Sequence, residues 1–224
     1  MSGAELMELL ADSFWKILLP GLKVTIPLTV LAFSLALVIA VIAAMIQYAK
    51  IPVLKEFIRF YVWVIRGTPL LVQLYVVFFG FPSIGIKVDP FWTAVAVFAV
   101  NEGAYCSETM RASLEAVPKG QVEAGYCIGL NYLQIMRHIV LPQAFRTAFP
   151  PLFNSLIGMT KDTSLAANIT VAEMFFAAQR IAGRTYQFMP VYLELAAIYL
   201  LFSTVLTWIQ AWGEKKLNAY GGTK

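Results

Sequence analysis

The chain has 224 residues, of which 59% are hydrophobic and only 13% are charged, and its mean hydropathy is +0.71. Soluble domains contain roughly 25% charged residues, so this composition excludes disordered and collagen-like chains and disfavours a soluble domain. Two cysteines exclude a disulfide scaffold, and a net charge of +4 without a basic stripe predicts cationic membrane loops rather than nucleic-acid binding. We therefore expect residues 1–224 to form a single all-α integral membrane domain.

Five apolar stretches predict five transmembrane helices. A helix that crosses ~30 Å of hydrocarbon needs about 20 mainly apolar residues. The stretches that meet this requirement lie at about residues 22–46, 57–81, 91–112, 147–170 and 188–212. A short amphipathic helix is expected at about 171–181, and residues 221–224 are expected to be a frayed tail.

The three middle stretches are interrupted by polar or helix-breaking residues. The second contains Arg66-Gly67-Thr68-Pro69, the third Asn101-Glu102, and the fourth Pro150-Pro151 and Lys161-Asp162. Polar groups and broken helices at membrane depth mark substrate pathways. We therefore expect the function to reside at these interruptions.

The distribution of cations predicts that the N-terminus lies outside and the C-terminus in the cytoplasm. In this orientation ten cations are cytoplasmic: Lys50, Lys55, Arg59, Arg111, Lys119, Arg137, Arg146, Lys215, Lys216 and Lys224. Five lie outside: Lys16, Lys23, Lys87, Arg180 and Arg184. The long segment at about 112–146 is then a cytoplasmic loop, and a loop of this length is usually functional.

That loop carries a spaced motif. It reads Glu123-Ala124-Gly125, three residues, Gly129, nine residues, Ile139, one residue, and Leu141-Pro142. The pattern resembles the EAA loop of permease subunits of bacterial ATP-binding-cassette (ABC) importers, with Gly125 in place of the second alanine. The resemblance implies a cytoplasmic coupling helix that docks in a groove of a separate ATPase subunit.

The residues of the loop predict a short, stiff projection. Residues 121–128 can form two helical turns, and Gly129 is expected to end them in the left-handed conformation. Pro142 is expected to limit the next helix, because proline cannot continue a preceding one. The small residues Ala124 and Gly125 would allow a partner surface to approach closely. The alternative interpretation is an ordinary interfacial helix–turn–helix.

Three further segments are similar to the polar amino acid branch of this family: Arg66 to Gln73, Val117 to Gln121, and Lys161 to Ala166. The resemblance implies a type I ABC importer permease fold with five transmembrane helices in the inner membrane. It also implies a dimer with an identical or different permease subunit, two ATPase subunits and an external solute-binding protein. This chain would then bind no cofactor, and ATP and Mg would be bound by the partner ATPase.

The candidate substrate site combines polar groups with freed backbone groups. At 1.5 Å per helical residue, Thr68, Asn101 and Lys161 all fall in the middle third of the bilayer. Asp162 can accept a hydrogen bond from a substrate ammonium, and Lys161, the Thr68 hydroxyl or freed N–H groups can hold a carboxylate. The alternative is that Asp162 and Lys161 are structural. The candidate substrate-binding residues are Thr68, Leu70, Gln73, Asn101, Ser155, Lys161 and Asp162.

The substrate is expected to be cystine or another neutral polar amino acid, because the segment from Ala178 to Thr185 looks like the cystine-importing members. A cationic substrate would favour an additional carboxylate, for which Glu102 is the candidate, and a glutamine-type permease is the other alternative. An enzyme or a channel is disfavoured. The chain has no phosphate loop, no G-x-S-x-G, no H-E-x-x-H and one histidine, His138, so no catalytic or metal site is expected.

Overall fold

The computed structural model describes residues 3–219, and all the regular structure in this range is helical. Residues 221–224, for which a frayed tail was predicted, lie outside the described range. The helices are α1 (Gly3–Pro20), α2 (Ile26–Tyr48), α3 (Leu54–Arg66), α4 (Leu70–Ser83), α5 (Pro90–Glu115), α6 (Lys119–Cys127), α7 (Tyr132–Ile135), α8 (Leu141–Asp162), α9 (Met174–Thr185) and α10 (Phe188–Ala219). Wide π turns at Gly21–Thr25 and Met136–Val140 join α1 to α2 and α7 to α8, and the 3₁₀ segment Thr163–Ile169 follows α8.

Two described helices are long and apolar enough to cross a membrane, and the pair α3 and α4 makes a third if the two count as one broken span. The first candidate is continuous from Gly3 to Tyr48, because the π turn joins α1 to α2 without a break. Its 46 residues would be about 69 Å long, more than twice the hydrocarbon thickness. The sequence predicted only its second half, and five spans remains a prediction.

The chain forms two compact units, which we describe separately. The first unit comprises Met1–Ser34, Pro69–Phe98 and Leu156–Thr207, and the second comprises Leu35–Thr68, Ala99–Ser155 and Trp208–Lys224. Four of the predicted substrate-site residues belong to the first unit: Leu70, Gln73, Lys161 and Asp162. The other three, Thr68, Asn101 and Ser155, belong to the second unit together with the EAA motif.

In the first unit, α9 presents a fully buried stripe of Met174, Ala178 and Ala182. This stripe packs with Ile17 of α1 and with the beginning of α10. The four-residue spacing puts all three side chains on one face of the helix. The amphipathic helix predicted at about 171–181 is therefore present, although it begins and ends three to four residues later.

The fully buried carboxylate of Glu173 connects the start of α9 to α10. Its Oε1 accepts a hydrogen bond of 2.7 Å from the backbone N–H of Phe176, which caps the helix, and its Oε2 accepts one of 3.1 Å from the Tyr199 hydroxyl. Tyr199 also interacts with Thr163, the first residue of the 3₁₀ segment. This network fixes the chain immediately after Lys161 and Asp162.

In the second unit, α2 buries alanine side chains at four-residue intervals, at Ala36, Ala40 and Ala44. Gly103 of α5 lies against Ile39, and the Tyr61 hydroxyl of α3 donates a 2.6 Å hydrogen bond to the Val100 carbonyl. Membrane helices gain little from the hydrophobic effect, so they associate through small residues that allow close approach. Small residues therefore set the packing of α2 and α5.

Replacing Gly103 by alanine should destabilise the protein. The added Cβ would lie 2.8 Å from Cγ2 and 3.0 Å from Cβ of Ile39, a stiff β-branched residue. Overpacking of this kind costs about 1–3 kcal/mol. Gly158→Ala is the matched control, because nothing lies within 4 Å of its added Cβ. Thermal unfolding of the purified proteins should show a lower Tm for G103A only, and equal Tm values would contradict this account.

Glu173 should make stability depend on pH. Burial raises the pKa of this carboxyl above its ordinary value of 4.5. Its contribution to stability is therefore fully present below pH 4.5 and is lost as the pH rises through the raised pKa. Glu173→Gln should remove this part of the fall in Tm with rising pH, whereas Glu8→Gln, at an exposed position, should leave it unchanged. An identical pH dependence in wild-type and E173Q protein would contradict the assignment.

Candidate functional site: coupling segment and polar interruptions

The EAA motif forms a short helix with a fixed end. Helix α6 begins after Pro118 and ends at Cys127. Gly129, two residues later, adopts a φ of +85°. The Leu130 amide donates to the Gly125 carbonyl and the Gly129 amide to the Tyr126 carbonyl, both at 3.0 Å. This pair of bonds is the Schellman arrangement, which satisfies the last carbonyls of a helix. The predicted helix and its termination at Gly129 are therefore present.

The chain then turns back into the long helix α8. Asn131 and Gln134 form a reciprocal capping box, with bonds of 3.0 and 2.9 Å, at the start of α7. The prediction that Pro142 limits the next helix is wrong, because helical structure continues from α7 into α8. The π turn Met136–Val140 has a wider hydrogen-bonding pattern, in which the Leu141 amide donates to the Met136 carbonyl, and the proline ring is accommodated after it.

Gly125 has a different role from the one predicted. It is buried, and a Cβ at this position would lie 2.9 Å from Ile135 and 3.1 Å from Ile139 of the returning segment. Its small size therefore allows α6 to pack against the chain that follows, rather than allowing a partner to approach. Ile135 in turn belongs to a buried cluster with Ala44 of α2 and Leu114 of α5. The coupling segment, residues 118–143, is thus packed onto the ends of two long helices of the second unit.

The outer surface of the coupling segment is exposed and largely apolar. Glu123 and Ala124 are exposed as predicted, and Ile128 and Leu133 are exposed by 76% and 75%. Leu141 and Pro142 also lie at the surface. An open cavity of about 400 Å³ is lined by Gln121, Ala124, Gly125, Ile128, His138, Ile139 and Gln143. The sequence motif did not point to Ile128 and Leu133, although two bulky apolar residues beside a helix-ending glycine were the available signal.

In the second unit, the three candidate substrate residues lie on three different elements. Thr68 follows α3, and its hydroxyl donates a 3.0 Å hydrogen bond to the Val64 carbonyl. Asn101 of α5 is buried, at 7% exposure, and Ser155 of α8 interacts with the buried thiol of Cys106. The Arg66 guanidinium lies 5.0 Å from the ring centroid of Tyr105, which is the distance of a cation–π contact.

In the first unit, Pro69 ends the interruption and Leu70 begins α4. Pro69 is extended, with a ψ of 137°, and its side chain provides no cap. The Gln73 amide donates to the Pro69 carbonyl at 3.1 Å, so the N–H groups of Leu70, Leu71 and Val72 occupy the first turn. N–H groups in a first turn have no partner within their own helix and favour anions.

Lys161 and Asp162 lie at the end of α8, and both side chains are exposed. Within residues 3–219, neither forms an ion pair. The change from α-helix to 3₁₀ helix occurs immediately after Asp162, and Thr163 is fully buried. The network of Glu173, Tyr199 and Thr163, which the sequence analysis missed, fixes this point. A glutamate just before an amphipathic helix was the signal for its capping role.

Comparison with known proteins identifies the family. A family model described as "Binding-protein-dependent transport system inner membrane component" matches residues 36–219. The L-cystine transport system permease protein TcyB of Bacillus subtilis is 45% identical over 214 residues, covering 95% of this chain and 92% of that protein. The arginine transport system permease protein ArtQ of the same organism is 34% identical, covering 90% and 93%.

Two solved structures agree with this assignment. The crystal structure of an amino acid ABC transporter with histidines is 32% identical and superposes with a TM-score of 0.81. The superposition covers 86% of this chain and 90% of that one. The MetNI methionine ABC transporter, at 16% identity and a TM-score of 0.73, covers 97% and 99% and supports the fold alone. The chain therefore belongs to the binding-protein-dependent transport system inner membrane component family, and it is an amino acid ABC transporter permease whose ATPase is a separate subunit.

Proposed function

We propose that this permease carries cystine, or another neutral polar amino acid, across the inner membrane. The observation that carries this proposal is the 45% identity to a cystine permease over nearly the whole length of both chains. A second cystine permease, TcyL of Bacillus subtilis, is 37% identical over 210 residues. The resemblance of residues 178–185 to cystine importers supports the same substrate.

The alternative substrates are glutamine and cationic amino acids. A probable glutamine permease of Bacillus subtilis is 37% identical over 182 residues, and the arginine permease ArtQ is 34% identical. A cationic side chain needs an additional carboxylate, and the candidate Glu102 already accepts a 3.5 Å bond from the Cys106 thiol. Competition of unlabelled cystine, glutamine and arginine against labelled cystine uptake in vesicles tests the choice. Stronger competition by arginine or glutamine than by cystine would reject it.

The substrate path is proposed to involve the residues at the polar interruptions. Asp162 accepts hydrogen bonds from the substrate ammonium, and the first turn of α4 or Lys161 holds the carboxylate. This proposal is supported by the exposure of Lys161 and Asp162, by their lack of ion pairs within the described chain, and by the N–H groups that begin α4. Thr68, Gln73, Asn101 and Ser155 are proposed to line the same path.

The assembly and topology follow from the same proposal. Residues 1–224 form one permease domain, with the N-terminus outside and the C-terminus in the cytoplasm, as the excess of cytoplasmic cations favours. The domain pairs with a second permease subunit, identical or related, and with two ATPase subunits that bind ATP and Mg. An external solute-binding protein delivers the substrate.

The coupling segment is proposed to transmit movement of the ATPase. Its exposed side carries Glu123, Ala124, Ile128 and Leu133, which would fill a groove on the partner. Its buried side is packed through Gly125 and Ile135 onto the ends of α2 and α5. Because closely packed interiors transmit displacement rather than absorb it, a push on the segment would move both helices.

Replacing Gly129 by valine should uncouple transport from ATP hydrolysis. At a φ of +85° any Cβ is strained, at a cost of about 1 kcal/mol or more, although nothing lies within 4 Å. The end of α6 should therefore shift while membrane insertion remains normal. Gly120→Val is the matched control, because Gly120 lies within α6, has no positive φ and has nothing within 4 Å of its added Cβ. Normal uptake and substrate-stimulated ATP hydrolysis in the G129V complex would reject the coupling role.

Asp162→Asn should impair transport without impairing folding. If the substrate ammonium is the partner of Asp162, the variant loses one charge-assisted hydrogen bond, about 1.5–3 kcal/mol or roughly 10–150-fold in uptake. Basal ATP hydrolysis should be unchanged, and the N-acetylated amino acid should be a poor substrate of the wild type. The exposed Asp12→Asn serves as the control. A low yield of folded D162N protein would indicate a structural partner, and wild-type uptake would reject any role.

A further inference from the structure

A charged cavity of about 370 Å³ lies in the second unit, and its lining residues belong neither to the coupling segment nor to the polar interruptions. Its walls come from the end of α2, the connection from α2 to α3, one face of α3 between Lys55 and Trp63, and the end of α5. Four cations line it: Lys50, Lys55, Arg59 and Arg111. Only two carboxylates, Glu108 and Glu115, line it as well, so cations are in excess.

The ion pairs in and around the cavity leave two cations without a carboxylate. The Arg111 guanidinium is bonded to Glu108 at 2.9 Å and to Glu115 at 2.7 Å, so it accounts for both lining carboxylates. Arg59 is paired with Glu56 at 2.9 Å. Within residues 3–219, Lys50 and Lys55 form no ion pair. Two ammonium groups that share one cavity favour an anionic ligand with several acceptor oxygens.

The surface beside the cavity is apolar. Leu54, Phe57, Phe60 and Trp63 recur at three-residue intervals along α3 and are exposed by 48%, 67%, 60% and 71%. Trp63 also lines the cavity itself. Lys55 and Arg59 stand on the same helix, so α3 combines an apolar stripe with a cationic face. This combination is typical of helices at the membrane–water boundary, where tryptophan is enriched.

The connection from α2 to α3 has an unusual backbone. Lys50 and Val53 adopt φ values of +53° and +66°, in the left-handed region that non-glycine residues rarely occupy. Lys50 itself lines the cavity. Strained backbone persists where contacts hold it, and it is concentrated at sites that bind ligands.

We propose that this cavity binds the phosphate of an anionic phospholipid. Lys50 and Lys55 hold the phosphate oxygens, and the acyl chains lie along the stripe of Leu54, Phe57 and Phe60. Free phosphate shares the headgroup chemistry, but it would leave the adjoining apolar stripe without an occupant. Basic pockets between membrane helices bind anionic headgroups through the same combination of charges and apolar surface. The bound lipid would join α3 to the connection between α2 and α3.

The test uses the complete transporter complex in nanodiscs of phosphatidylcholine, or of equal parts phosphatidylcholine and phosphatidylglycerol. Native mass spectrometry measures the affinity for phosphatidylglycerol. The wild-type complex should retain phosphatidylglycerol in preference to phosphatidylcholine. The double variant Lys50→Gln/Lys55→Gln should bind it about 30-fold more weakly, because each cation near anionic lipid contributes about a factor of five. The comparison of the two lipids on the wild type needs no variant.

The matched control is Lys215→Gln/Lys216→Gln, which removes the same charge from exposed positions outside the cavity. It should leave the affinity unchanged, and an equal loss in the control would overturn the proposal. Retention of both lipids to the same extent by the wild type would also overturn it. A rise in Tm on adding inorganic phosphate to phosphatidylcholine discs would assign the cavity to free phosphate. Loss of the ATPase subunit from the double variant, with lipid affinity unchanged, would assign the lysines to protein docking.

Discussion

The structure depends on one constraint, which is that backbone N–H and C=O groups inside a bilayer must find partners within the protein. Helices satisfy it along their interiors but not at their ends, so each interruption of a helix needs other partners for its backbone groups. After α8, the Thr163 hydroxyl donates to the Thr160 carbonyl, and the Val171 amide donates to the Ala166 carbonyl. At Gly67–Pro69 the chain restarts as α4 without a side-chain cap. The two interruptions therefore differ. After α8, backbone groups are bonded within the chain, whereas the first turn of α4 keeps N–H donors without a side-chain cap.

Small residues determine how closely the helices of the second unit pack. The alanine stripe of α2 and Gly103 of α5 bring backbones close together, and Gly125 does the same between α6 and the returning segment. These contacts leave no space for even one added carbon, which would overlap with a neighbouring side chain. A displacement of the coupling segment would therefore be passed to the ends of α2 and α5 with little loss. This packing is the structural basis of the coupling role proposed above.

Three sets of charged residues differ in their physical requirements. Glu173 is fully buried, and its oxygens are satisfied by Phe176 and Tyr199, so it serves the fold. Lys161 and Asp162 are exposed and form no ion pair within the described chain, which suits an intermittent partner such as a substrate. Lys50 and Lys55 share a cavity that already contains satisfied carboxylates, which suits a resident anion.

The sequence by itself determined the family, the helical class, the interrupted segments and the end of α6 at Gly129, because these depend on local chemistry and short spacings. The predictions for Gly125 and Pro142 were wrong. The sequence does not distinguish a glycine that faces a partner from one that packs against its own chain. It also does not show that a π turn before Pro142 lets the helix continue through the proline. It missed α1, whose charged residues conceal a continuous helix. Only the tertiary structure decided which glycines, carboxylates and lysines have neighbours, because burial and ion pairing join residues far apart in the chain.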